Sequence, residues 1–527
     1  MSDFSNEDKD VFLVKLNRMI DRGALLSRYS RAASLDIREV YRKEFQGNEG
    51  KGKDFYRRIF LEYGDESIAE LVTAQIAVQN VSNVITKLME ELRVGLSYLE
   101  KSSRYVRYDK RVNDHYLYLN PESAGFDGKY ADMYRDTCDE LFELYSKNYE
   151  KSLHFFKLKY PIDSIKFSER NEDAVFIEDL SGKDRESAEK SYNSSIRARV
   201  LDDLRYLLPA STLTNMGISG NGRAFISLIQ KLNSSSLPEA KRVANAIYDE
   251  LEPELPELID SAISSHGEDL VKYKAQLDAY CPIEYTNFPK DVHLVELIEH
   301  EERNFALRKS LGIIVFANGQ EDLVSSIRRI GEMSAEEQIN YVKGLADLRR
   351  NRRHKLHRAF ESVSYLFQIT TNYGAFRDMQ RHRFVSINRQ PLSNRFGFDT
   401  PEFFMEAEQN KEYLRVMKMA SETYDELDRK YGSGMAQYCI PYAYRYPVSA
   451  YMNLREASFF CELRSTPQAH PDLRKIAISI HDEIRRVHPE LAILLKFVDN
   501  GDYSLGRLKS EHRKEKKLRG LKDGNKQ

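Results

Sequence analysis

The sequence predicts a helix-rich chain built from two tandem copies of one domain. Three observations carry that reading. Apolar residues recur at spacings of three and four over long stretches, candidate strands are few and short, and three blocks of the first half return in the same order in the second. A spacing of three to four lines up side chains on one helical face, whereas a strand alternates with period two.

Taken in order, "ESIAELVTAQIAVQNVSNVITKLMEEL" (66–92) and "LRKIAISIHDEIRRV" (473–487) have the helical spacing. Strand candidates are "YLYL" (116–119) and "GIIVFA" (312–317). The stretch 167–195 is polar and charged and reads as an insertion or long loop. After Arg507 the chain mixes Lys and Arg with acids, which reads as a frayed, solvated end.

The repeat sets "EAKRVANAIYDELEPELPEL" beside "DLRKIAISIHDEIRRVHPEL", with Pro256 and Pro489 closing each. Pro209 pairs with Pro441 and Asn221 with Asn453, both 232 apart. A third pairing joins "NVSNVITKLMEELRVGLSYLEKSSRY" to "TTNYGAFRDMQRHRFVSINRQPLSNRF". The expected organisation is an N-terminal segment 1–19, a first copy 20–275 with a polar insertion at about 120–198, a linker 276–289, a second copy 290–505 and a basic tail 506–527.

Composition limits the function classes. The chain has 527 residues, 41% hydrophobic and 11% aromatic, enough to bury a sizeable core. A net charge of −2 gives no global field to hold nucleic acid, so an anion site must be local. No apolar run approaches the ~20 residues of a membrane helix, and the acidic start "MSDFSNEDKD" is unlike a secretory signal. Cys138, Cys281, Cys439 and Cys461 form no C-x-x-C pair, which points to free thiols in a reducing cytoplasm and to no metal site. "GNEGKGKD" (47–54) satisfies a P-loop spacing but has Asp54 where Ser or Thr should stand, so it reads as a surface turn. "GISGNG" (217–222) reads as a turn before a helix, and the basic run "RRNRRHKLHRAFE" (349–361) as a solvated helix face.

The chemistry-bearing stretch is "QRHRFVSINRQPLSNRFGF". Arg381, His382 and Arg383 form a dense donor cluster, followed by Ser386 and Asn388 with apolar Phe384, Val385 and Ile387 between. Arginine grips phosphate through a planar fork, and a half-buried arginine cluster needs an anionic partner.

These residues carry a resemblance. The sequence resembles the flavin-dependent thymidylate synthases, whose signature is RHRxxSxNExSxRY: "RHRFVSIN" stands in the second copy and "EKSSRY" in the first. "MNLREASFFCELRSTPQAHPDLRKIA" is similar to the family's closing block, "EYGDESIAEL" to its HGHExxxEH element and "RYLLP" to its ARxVLP element. The resemblance implies an α+β fold, each copy helix-rich with a small antiparallel sheet. It implies FAD as cofactor, NADPH and methylenetetrahydrofolate as co-substrates, and dUMP as the substrate methylated to dTMP. It also implies a homodimer in which four copies imitate the family's tetramer.

Residue by residue, the resemblance assigns flavin binding to Arg381, His382, Arg383, Ser386, Asn388, Asn453 and Arg455. It assigns the nucleotide to Glu100, Ser102, Arg104, Tyr105 and Arg205, with Ser393 and Arg395 as the second copy's counterparts, and pyrimidine ionisation to Arg464. Each copy departs from the pattern. The second has Arg389 for the family's Glu, a two-residue insertion with Pro391, Phe396 for Tyr and Gln437 for the Arg before Leu-Pro, while the first has Glu91-Leu92-Arg93 for RHR. The losses are complementary, so the expectation is a composite site: flavin cradle from one copy, nucleotide grip from the other. Two alternatives stand beside it: a degenerate homologue that binds flavin or nucleotide without turnover, and methylation of another uracil, such as one in RNA.

Overall fold

The computed structural model describes residues 3–48, 51–63, 66–167, 174–256, 258–280, 292–407 and 409–524. The first copy contributes β1 (Thr73–Ser82) and β2 (Leu96–Glu100), a minimal hairpin β3 (Lys166–Phe167) and β4 (Val175–Phe176), and β5 (Leu213–Asn221). The second contributes β6 (Val295–His300), β7 (Ser364–Asn372), β8 (Ser386–Arg389) and β9 (Arg445–Asn453). Both main sheets are antiparallel, in the orders β1-β5-β2 and β6-β7-β9-β8. The α+β expectation therefore holds in each copy.

The repeat survives in three dimensions. β1, the helix Asn83–Met89 and β2 correspond to β7, the helix Tyr373–Met379 and β8. β5 and the helices Gly222–Ser234 and Pro238–Leu251 correspond to β9, Leu454–Arg464 and Pro471–Val487. The copies join through a short backbone ladder across an isolated Pro209–Pro441 bridge. Ala210 N–H donates to Ile440 O at 2.8 Å, and Tyr442 N–H to Leu208 O at 2.9 Å. The helices Gly128–Lys159 and Asn410–Tyr431 pack side by side, with Thr137 and Thr423 hydroxyls 2.8 Å apart in their buried seam.

Several local expectations are corrected. The stretch 66–92 is not one helix: it divides into a 3-10 turn Glu66–Leu71, β1 and the helix Asn83–Met89. β-Branched Thr73, Ile76, Val78 and Val81 favour a strand, and the Ser82 hydroxyl accepts from Ile85 N–H at 3.2 Å to start the helix. The 312–317 run lies in the helix Arg303–Asn318, begun by Glu302 accepting from Asn304 and Phe305 N–H. A short apolar run cannot by its pattern distinguish a buried helix from a strand. Residues 116–119 form no strand; Tyr118 makes a single bridge to Thr212.

The 167–195 stretch is largely helical. The helix Gly182–Leu204 buries Ala188, Tyr192 and Ile196 at four-residue spacing. Ser187, Ser191 and Ser195 are buried beside them, their hydroxyls returned to carbonyls four residues back. The tail is not frayed: the helix Leu508–Gly524 packs on Gly182–Leu204, with Arg519 on Asp184 at 2.5 Å and His512 Nδ1 3.5 Å from the Ser191 hydroxyl.

Of the expected linker, residues up to Ala279 belong to the helix Ser265–Ala279, and 281–291, with Cys281, lie outside the described residues. Residues 51–54 open the helix Lys51–Tyr63, 49–50 lying outside, and 217–221 close β5 rather than forming a turn. The run 349–361 is a loop and a 3-10 turn, not a helix face. Its first residue, Arg349, is buried and forks onto Glu462 at 2.7 and 2.6 Å. No helix among the described residues is long and apolar enough to cross a membrane.

Candidate functional site

Two turns build the site. β7 ends at Asn372, whose side chain accepts from Ala375 N–H at 2.9 Å and starts the seven-residue helix Tyr373–Met379. The helix is too short to continue past Gln380, so Arg381, His382 and Arg383 emerge in the turn before edge strand β8. In the first copy β2 ends at Glu100, and Ser102, Ser103 and Arg104 form the turn beyond it. The two turns, one from each copy, meet at the junction.

Glu100 is the anchor of that meeting. It is fully buried, with Lys87 Nζ at 2.9 Å and Arg377 Nη2 at 2.8 Å, one cation from each copy, and Arg381 Nη2 at 3.7 Å. Burial alone would raise its carboxyl; Arg377, Lys87 and Arg381 together bring it down to about 2.

Beside it Arg205 is 2% exposed. Its Nη1 stands 3.7 Å from Asp378 Oδ2, too far for a hydrogen bond, and its Nε, its Nη2 and that Oδ2 have no hydrogen-bond partner. Burial lowers the Arg205 guanidinium from its ordinary value, against the pull of Asp378. Gly374 leaves the space over it open: a Cβ there would stand 3.2 Å from Arg205 Nε and Nη2. A void of about 10 Å³ remains between Ser102, Arg104, Arg205, Asp378 and Arg381. The cleft therefore holds buried guanidinium donors that no group of the protein uses.

Arg464 closes the helix Leu454–Arg464 and points back into the same cluster. Its Nε donates to His382 Nε2 at 2.8 Å and its Nη2 to the Asp378 carbonyl at 3.0 Å. Because Nε2 accepts, the Nδ1–H of His382 donates to Glu456 Oε1 at 2.9 Å. Burial lowers the His382 pKa, and Arg464 adds to the effect while Glu456 opposes it. The ring is thus a neutral relay between a carboxylate and a guanidinium.

Arg381 and Arg383 line a groove of about 170 Å³ with Tyr98 and Leu99 of β2, and Arg383 donates to the Ser97 hydroxyl at 2.7 Å. Arg381 and Arg383 thus stand as cationic forks beside the aromatic wall of Tyr98. Ser386 and Asn388 stand exposed on one face of β8, Asn388 donating to the Ser449 hydroxyl at 3.2 Å.

The expected residues divide on this geometry. Glu100, Ser102, Arg104 and Arg205 of the first copy come together with Arg381, His382 and Arg464 of the second. Asn453 caps its helix by accepting from Glu456 N–H, and Arg455 is spent on the Leu356 carbonyl and Glu361. Tyr105 is exposed, with Arg507 stacked 4.8 Å over its ring. Ser393 and Arg395 stay in their own copy: Ser393 is buried, and Arg395 reaches Asp428 at 3.5 Å. There Leu392 N–H meets Gln437, the counterpart of Arg205, and Arg389 Nε donates to Glu91 at 2.5 Å while Lys231 takes the other oxygen at 2.6 Å. Glu91 corresponds to Arg381, so the second cleft carries the first cleft's ion pair with its signs exchanged.

Sequence reasoning missed Arg377, Asp378 and Asp202. Arg377 is the counterpart of Lys87, a pairing the repeat offered. Asp202 forks onto Arg104 at 2.7 and 2.9 Å, and nothing in its neighbourhood signals that partner.

The family model described as thymidylate synthase complementing protein matches twice, over residues 23–257 and 313–490. The UPF0159 protein Ta1429 of Thermoplasma acidophilum is 51% identical over 95% of this chain and 100% of its own length. UPF0159 proteins of Chlamydia pneumoniae and Chlamydia muridarum are 33% and 32% identical, each over 97% of this chain and 96% of their own. A crystal structure of a UMP/dUMP methylase, PolB, from Streptomyces cacaoi bound with 5-Br dUMP aligns at 17% identity with a TM-score of 0.32, covering 39% of this chain and 95% of that one. With both halves matched and a relative sharing half its residues end to end, the chain belongs to the thymidylate synthase complementing family, as a tandem member with two copies of the family domain.

Proposed function

We propose that the chain reductively methylates dUMP to dTMP at one composite site, using FAD, NADPH and methylenetetrahydrofolate. The observation that carries this reading is the Arg205 guanidinium, buried with two unpartnered N–H groups where the first copy's 102–104 turn faces the second copy's Arg381 and Arg464. In this reading Arg205 and Ser102 hold the nucleotide phosphate, and Arg381 and Arg383 hold the flavin diphosphate in the groove beside Tyr98. Reduced flavin supplies the hydride when bound. Arg464, kept in place by neutral His382, presents positive charge to the ionising pyrimidine. A second chain would cover the exposed turns: Val94 and Phe384, equivalent positions in the two copies, are 92% and 77% exposed. The resulting homodimer would hold four family domains.

One observation favours a second reading, binding without turnover: the Nε–Nη2 fork of Arg104 is already taken by Asp202. The experiment is to purify the chain, record its flavin absorption, and follow tritium release from labelled dUMP with NADPH and methylenetetrahydrofolate. Release that disappears in Arg205→Ala supports the first reading. Flavin and dUMP binding with no release supports the second, and a protein that takes up neither removes both.

A further inference from the structure

Beyond the composite cleft, the chain carries a second cavity that its tail completes. The 499–507 strap lies past the last residue matched by the family domain, 490. It is fastened firmly. Asp499 N–H donates to the Ser465 hydroxyl at 2.9 Å, and Arg474 donates to the carbonyls of Asp499 and Gly501 at 3.0 and 2.8 Å. Gly506 lies so close to the Pro467 carbonyl that an added Cβ would stand 2.0 Å from it. The strap thereby roofs a cavity of about 340 Å³ over the helix Gly182–Leu204 and the start of Pro471–Val487.

The chemistry of that cavity is anion-seeking. Five cationic side chains line it against three carboxylates. Arg507 is 6% exposed, and its Nη2 shares Asp202 with Arg104 at 3.4 and 3.5 Å. One carboxylate thus serves two guanidiniums, and Arg507 Nε has no hydrogen-bond partner. Burial would raise the Asp202 carboxyl, but Arg104 and Arg507 hold it well below its ordinary value, so it stays an anion. Lys475 stands at the wall with its side chain 70% exposed and its ion-pair partner Asp472 3.9 Å away. Tyr503, Leu505 and Ile478 supply an apolar side for the body of a ligand. The volume is at the small end of ligand cavities, which suits a monophosphate and excludes a dinucleotide.

We propose that this cavity binds a small phosphate monoester, held by Arg507 and Lys475, with the phosphate relieving Arg507 of its half share in Asp202. The site is separate from the cleft at Arg205 and does not depend on the chain methylating anything, although Arg104 stands in the wall between the two.

The probe is inorganic phosphate on the full-length chain, with chloride at matched ionic strength as control, read by thermal unfolding and calorimetry. The expected result is a Tm that rises with phosphate and not with chloride, and an affinity at least tenfold weaker in Arg507→Gln and in Lys475→Gln. Lys475 is largely solvated, so its variant folds even if Arg507→Gln does not. Equal Tm in phosphate and chloride would overturn the proposal, as would wild-type phosphate affinity in Lys475→Gln. A response lost in Arg205→Ala but kept in Lys475→Gln would put the anion in the composite cleft and also overturn it.

Discussion

Glu100 shows at the level of one residue how the junction is held. It neutralises Lys87 of its own copy and Arg377 of the other, both buried. Glu100→Ala leaves Arg377 without its carboxylate and Lys87 with Glu90 alone, and the expected loss is about 3–5 kcal/mol, measured by urea unfolding at pH 7. Acid acts on the same network in two windows. Burial, reinforced by Arg205, lowers His470 from 6.5 to about 3. A histidine that stays neutral when folded but protonates when unfolded stabilises fully above 6.5, and loses that contribution as the pH falls toward 3. Glu100 contributes fully above its ordinary 4.5 and loses it as the pH falls toward 2. Stability is therefore expected to fall below pH 6.5 and faster below 4.5, and His470→Gln to flatten the first limb by about 1 kcal/mol per pH unit. Motif reasoning reached Arg104, Arg205, Arg381 and Arg464 because each sits at a fixed offset from a recognisable neighbour. It did not reach Asp202 or Asp378, since a carboxylate chosen by a partner ~100 residues away or across a turn leaves no local pattern.

Among the elements, the pairing of the helix Gly182–Leu204 with the tail helix Leu508–Gly524 was the least legible. Each is rich in polar and charged residues, and Ser187, Ser191 and His512 are buried in the folded chain, with Ser191 facing His512. Each therefore depends on the other more than on its own propensity. Truncation after Arg507 is expected to lower amide protection across 182–200 while leaving β7 and β9 unchanged, which hydrogen exchange reads directly. The strand β5 misled for another reason. Glycines at 217 and 220 suggest a turn, yet Gly220 sits where a Cβ would meet the Gly95 carbonyl at 2.4 Å, so close strand approach selects the glycine.

For the whole molecule, the tandem repeat was legible because matched prolines, caps and helices recur in the same order, 290 residues apart before the first copy's insertion and 232–233 apart after it. How the copies face each other was not, because the 206–211 and 438–443 ladder is made of backbone groups. That ladder, Glu100 and the Thr137–Thr423 seam are shared between the halves. Residues 1–280 and 292–527 expressed separately are expected to be insoluble or molten by near-ultraviolet circular dichroism, and to recover a cooperative transition when coexpressed.

The exchanged charges at Glu91 and Arg389 have an evolutionary reach. With acid and base exchanged between the twin grooves, no lone substitution gives the second the charge order of the first: Glu91→Arg would confront Arg389 with a like charge, and Arg389→Glu would do the same to Glu91. Only a paired reversal at both positions would make the two grooves alike.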